Sequence, residues 1–269
     1  MTSPLYLTWQ FDPVLVGGLV TLAVCYGLAV GPLRSRLAPN EHVPTGKVVW
    51  FFSGVIVLFL VEGSPLHDLA ERYLFSAHML QHLLISYLVA PIILWGLPSW
   101  VLRPLLLNRV VKPVARSITT PLSTFFLFNF FFSVWHLPTI YEGALANSTL
   151  HHSEHFIFLL SSLLLWWPLM SPLSELPRPT YLVQLVYLFL IPIAQLPVFA
   201  AVTFADTALY PTYVEAPRLF FRTALIDQAV GGALMKVISL FAFGIPFIVI
   251  FFRWYRSENV RSRPLEARS

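Results

Sequence analysis

The chain has 269 residues, of which 57% are hydrophobic and only 11% charged. A soluble protein carries about 25% charged residues, so this balance excludes a water-soluble domain and indicates a polytopic membrane protein. The net charge of +4 does not point to nucleic acid, because the basic residues fall between apolar blocks, and the single cysteine, Cys25, excludes an intrachain disulfide or a thiolate metal cage.

The expected spans follow in chain order as one all-α domain over residues 1–269. The first runs from about Phe11 to Leu33 and carries Gly17, Gly18, Gly27 and Gly31, which favour close helix packing. No basic segment precedes it, so it reads as a retained span and not a cleaved signal. The second covers about Val48 to Val61 and stops at Glu62. A short loop, Gly63 to Asp68 with His67 in it, leads to a third span over about Arg72 to Leu97. The fourth, about Pro121 to Val134, is dense in Phe and ends in Trp135-His136-Leu137-Pro138. The fifth continues from His151-His152-Ser153-Glu154-His155 to about Met170. The sixth, about Tyr181 to Phe204, contains Pro192 and Pro197, which predict a kink around Gln195. The seventh runs from about Leu225 to Phe252, and a basic tail occupies 253–269.

Seven spans with the N-terminus outside and the C-terminus inside place Arg34, Arg36, Lys47, Arg103, Arg109, Lys112, Arg116, Arg178 and the five tail arginines on the inner side. Arg72, Arg218 and Arg222 fall outside, and Lys236 lies within a span. The bias follows the positive-inside rule. Seven of the eight histidines then lie toward the outer side, with only His42 inside.

The organising motif is His78-Met79-Leu80-Gln81-His82. Its two imidazoles are four residues apart and share one face of an apolar helix, where polar side chains indicate a functional site. His136, His151 and His155 fall at the same level, as does Asp227, with Gly231 and Met235 on its helix face. These are the ligand types the chain offers: imidazole and carboxylate suit several divalent metals, and His with Met suits copper, especially Cu(I). The expected ligands are His78, His82, His151 and His155, followed by His136, Met79, Met235 and Asp227. Glu154 would orient a histidine or exchange protons, and Gln81 and Gln228 would support the ligands. His151-x-x-Glu154-His155 also matches the inverted zincin pattern, although a protease needs a further ligand and a substrate cleft.

Four motifs in order resemble the CtaG family of bacterial cytochrome c oxidase assembly factors, the multi-span type associated with caa-type oxidases. They are His78-Met79-x-Gln81-His82, Trp135-His136-x-Pro138, His151-x-x-Glu154-His155 with Trp166-Trp167-Pro168, and Asp227-Gln228-x-x-Gly231-Gly232-x-x-Met235. The resemblance covers about residues 45–252, and Lys236 departs from it. It implies a multi-pass protein of the bacterial plasma membrane that is not an enzyme. Its expected cofactor is copper, delivered to the buried site of the oxidase catalytic subunit, with an extracytoplasmic copper donor and membrane lipids as further partners. Heme handling with axial histidines and a small proton-coupled transporter using Asp227 and Lys236 are the alternatives.

Overall fold

Among the described residues every regular element is helical. A computed structural model describes residues 7–266, with side chains through Val260. Of the expected basic tail, Arg268 and the side chains of Arg261 and Arg263 lie outside the described residues. Six helices are long and apolar enough to cross a membrane: Pro13–Val30, Thr45–Gly63, Phe75–Gly96, Ser148–Met170, Tyr181–Thr203 and Ala224–Val260. They match the expected first, second, third, fifth, sixth and seventh spans. Pro121–Trp135, in fourth place, has 15 residues. That is about 22 Å of helix against a hydrocarbon core of about 30 Å. It qualifies only together with Val111–Ile118, to which it is joined at 78°. The described chain is therefore a bundle of six membrane helices, or seven with this bent pair.

Several boundaries differ from expectation for identifiable reasons. The second span runs past Glu62 to Gly63, because that carboxylate is received inside the bundle by His155. The stretch expected as a loop is a helix, Pro65–Arg72, with Pro65 in its first turn and Ser64 Oγ accepting from Leu66 N. Both are start signals of a helix. Arg72 is accordingly not part of the third span and pairs with Asp68 at 3.7 Å. The seventh helix continues beyond Phe252 to Glu266. The sixth breaks at Gln195, as its prolines predict, into Tyr181–Ala194 and Leu196–Thr203.

Asp68 also clasps the chain entering the first span. It accepts hydrogen bonds from Thr8 N at 2.8 Å, Thr8 Oγ1 at 3.0 Å and Gln10 Nε2 at 2.8 Å. Burial acts to raise its pKa, and the bonds from Thr8 and Gln10 with the nearby Arg72 outweigh it, holding the carboxyl below its usual range.

The third span changes partners halfway along. Its first part, Phe75–Leu84, packs mainly on the seventh helix, and its last part, Ala90–Gly96, on the second. Between them lies a π-helical turn, Ile85–Val89, inside which Trp166 Nε1 donates to Ser86 O at 2.8 Å. Small residues allow the contact with the second helix. A Cβ on Gly96 would lie 2.5 Å from Phe51 N and 2.7 Å from Phe51 Cα. Beside it, Tyr26 stacks on Phe51 at 3.7 Å and donates to Gly96 O at 2.9 Å. The obstruction is backbone and does not yield as a side chain would. Gly96→Ala is therefore expected to destabilise the protein by about 1–3 kcal/mol, measured as a lowered unfolding temperature in detergent.

Candidate metal centre

Four chain segments build the site: the end of the second span, the helix Pro65–Arg72, the first half of the third span and the first half of the fifth. The fifth starts at Asn147, whose side chain accepts from Leu150 N, and this start puts His151, Glu154 and His155 on one face. The third-span pair His78 and His82 faces them. Ring centroids are 4.3 Å apart within the His78–His82 pair, 4.2 Å within His151–His155 and 5.0 Å between His82 and His155.

Two groups of ligand atoms result. In the first, His78, His82, Glu154 and His155 each bring one atom within 4.8 Å of all the others, and all four residues are buried. In the second, His67, Glu71 and His151 meet the same distance criterion, and His67 and Glu71 are only partly buried. His82 Nε2 and His155 Nε2 are 3.4 Å apart. His155 Nδ1 faces both carboxylate oxygens of Glu62, at 2.7 and 2.8 Å. A carboxylate behind one nitrogen orients the ring so that its other nitrogen faces the ligand position.

Close approach here is not the same as hydrogen bonding. His78 Nδ1 lies 3.5 Å from Glu71 Oε1, His151 Nε2 lies 3.2 Å from the same oxygen, and His82 Nε2 lies 3.7 Å from Glu154 Oε1. Yet both nitrogens of His78, both of His151, Nδ1 of His82, Oε1 of Glu71 and Oε1 of Glu154 are buried without a hydrogen-bond partner among the described residues. Orphaned buried polar atoms are costly and call for an explanation. Beside the two close groups of ligand atoms, these unpartnered atoms fit a metal ion.

Aromatic side chains close the site. Phe158 stacks on His82 at 4.4 Å, and Tyr141 lies 4.9 Å from His78. The Tyr141 and Tyr213 hydroxyls are 2.7 Å apart, and Tyr213 donates to Ala70 O at 2.7 Å. Burial, before any other influence, pushes both phenols well above their ordinary pKa, so they act as neutral hydrogen-bonding groups. Burial likewise lowers the His67 imidazole, against the pull of Glu71 and Glu62.

The other expected ligands have different surroundings. His136 bonds Phe132 O through Nδ1 at 2.6 Å, and its Nε2 has no partner among the described residues. With Met79, Met235 and His82 it lines a small cavity that His78 does not line. Asp227 does not join either group. Its carboxylate accepts from Phe75 N at 2.7 Å and Ser76 N at 3.2 Å, so it caps the His-pair helix from the seventh span. Gln228 is a brace as well, donating to Val202 O and accepting from Leu209 N. Gln81 donates to Val61 O at 3.0 Å and lies 3.1 Å from His67 Nδ1, which ties the pair helix to the neighbouring segments.

Sequence reasoning missed Glu62, His67 and Glu71 as members of the site. A signal for two of them was present. Ser64-Pro65 starts a helix, and in a helix His67 and Glu71 are i and i+4, on one face.

No solved structure matches this chain. A protein of Mycobacterium leprae (strain TN) described as uncharacterized is 22% identical over 276 aligned residues. The match takes in 94% of this chain and 40% of that protein, so the chain spans well under half the length of this relative. The sequence pattern of the cytochrome c oxidase caa3 assembly factors matches residues 24–257, a stretch that contains every histidine of both ligand groups. The chain therefore belongs to the family of cytochrome c oxidase caa3 assembly factors.

Proposed function

We propose that this membrane protein takes up copper at its histidine cluster and delivers it to the oxidase catalytic subunit, as a carrier and not an enzyme. The observation that carries this reading is that the buried residues His78, His82, Glu154 and His155 bring ligand atoms within 4.8 Å of one another, with both nitrogens of His78 and Oε1 of Glu154 lacking a hydrogen-bond partner among the described residues. Imidazole and carboxylate bind copper, zinc, iron and nickel, with copper the tightest of the divalent first-row ions. Membership of an oxidase assembly family favours copper among them, because such oxidases contain it. Met79, Met235 and His136 beside His82 supply softer ligands of the kind Cu(I) prefers.

The Lys/Arg distribution supports a plasma-membrane orientation with the histidine end on the extracytoplasmic side. Copper would then come from an extracytoplasmic donor. Two other readings fit less well. The His82 and His155 nitrogens, 3.4 Å apart with His78 and Glu154 in the same small space, leave no room for a heme macrocycle between axial ligands. Glu154, 1% exposed, has no open face from which to serve a peptide substrate.

The test is copper content by elemental analysis, with oxidase maturation measured in the same strain. Wild-type protein is expected to bind copper and support an active oxidase. His78→Ala/His82→Ala is expected to lose the buried-group copper and leave an oxidase without its catalytic copper. Equal copper in both proteins would overturn the reading.

A further inference from the structure

Of the second ligand group only His151 is among the expected ligands, and it stands with His67 and Glu71 rather than with His78, His82 and His155, which suggests a distinct task. His67 and Glu71 come from the helix Pro65–Arg72, one turn apart, and His151 reaches them from the fifth span. Glu71 is 17% exposed at its side chain, whereas His78 is 0% exposed and Glu154 1%. Through His67 and Glu71 the second group is therefore the more solvent-accessible of the two.

The two groups touch through shared oxygens. Glu71 Oε1 lies 3.2 Å from His151 Nε2 of the partly buried group and 3.5 Å from His78 Nδ1 of the buried group. Glu154 makes a second bridge: Oε2 is 3.7 Å from His151 Nδ1, and Oε1 is 3.7 Å from His82 Nε2. His151 and His155 also sit one helical turn apart. An ion held at one group needs only to exchange single ligands to reach the other.

The partly buried group is also built for a looser hold. His67 Nδ1 lies 3.1 Å from the Gln81 amide, so an ion that takes this nitrogen displaces a hydrogen bond. The group has one ligand fewer than the buried site and more solvent. Weak, accessible binding followed by stronger, buried binding gives transfer a direction.

We propose that His67, Glu71 and His151 form a second metal site that receives the ion from outside and hands it to His78, His82, Glu154 and His155 through Glu71. The transfer is ligand exchange at constant oxidation state, with no electron moved. The inference rests on the metal-binding reading above, and the experiment separates the two.

Purified protein in detergent is loaded with Cu²⁺ alone, and copper per chain and the time course of uptake are read by elemental analysis after rapid desalting. Wild type is expected to hold two ions, one per group. His67→Ala and Glu71→Gln are each expected to hold one, taken up at least about tenfold more slowly, on the scale by which losing a supporting ligand weakens metal sites. His82→Ala is expected to hold one, taken up at the fast wild-type rate. A wild type that holds one ion, kept at an unchanged rate in His67→Ala and Glu71→Gln, overturns the second site and leaves the copper reading intact. A wild type that holds a single ion, lost in all three variants, means one joined site and also overturns the proposal. Two ions whose uptake is unaffected by His67→Ala overturn the handover. No copper in wild type defeats the function proposed above, and this inference with it.

Discussion

His155→Ala is expected to abolish copper binding at the buried group and to destabilise the fold by about 3–5 kcal/mol. Two losses coincide in one side chain. Nε2, facing His82 Nε2 at 3.4 Å, is removed as a ligand. Nδ1, which meets both oxygens of Glu62, is removed as that carboxylate's partner. Glu62 is only 8% exposed, so solvent replaces that partner poorly. Glu62→Gln separates the two effects. It leaves the imidazole in place and removes the charge behind it, so copper affinity is expected to fall by about 10–100-fold with the fold retained. The double variant His155→Ala/Glu62→Leu is expected to recover part of the stability and none of the copper. Thermal unfolding and copper per chain, read on the same samples, check all three. Full copper retention in His155→Ala would remove His155 from the ligand set.

Asp227→Ala acts on the same site from a distance. It leaves Phe75 N and Ser76 N, donors of the first turn of the His-pair helix that have no partner within the helix, without an acceptor in a buried setting. An unsatisfied buried donor costs about 1–3 kcal/mol, so the variant is expected to lose about 3 kcal/mol. For a chain of this size that is a fall in Tm on the order of 10 °C. The protein that remains folded is expected to bind copper at the wild-type ratio, which a ligand role for Asp227 would not allow. Asp227→Asn keeps one accepting oxygen and is expected to fall between the two. Gly231 supports the same junction, since a Cβ there would lie 2.6 Å from a ring carbon of Phe75.

The part of the site legible in the sequence is the part written in local spacing. His78 and His82 at i and i+4, and His151, Glu154 and His155 at i, i+3 and i+4, each define a helix face without knowledge of any partner. Glu62 looked like the end of a span because a carboxylate is expensive in hydrocarbon. What offsets that expense is an imidazole 93 positions away. Asp227 is ambiguous in the sequence for the complementary reason. A buried carboxylate reads equally well as a ligand or as a cap, and the amides it caps lie about 150 residues earlier in the chain. The span count was readable from apolar length except at Pro121–Trp135. There, the bend to Val111–Ile118 decides whether the helix crosses, and no pattern within either segment encodes that angle.

The wide turn at Ile85–Val89 sets a phase. One extra residue in a helical turn rotates everything beyond it by about 100°. In the third span the rotation lets one continuous helix address two neighbours at different azimuths. The imidazoles point at the fifth span, while Gly96 sits against Phe51 of the second. An unbroken 3.6-residue repeat would carry only one of those two bearings. The turn therefore decouples the aim of the ligands from the anchorage of the helix. Substitutions in Ala90–Gly96 act on how firmly the helix is seated, and substitutions in Phe75–Leu84 act on what it points at.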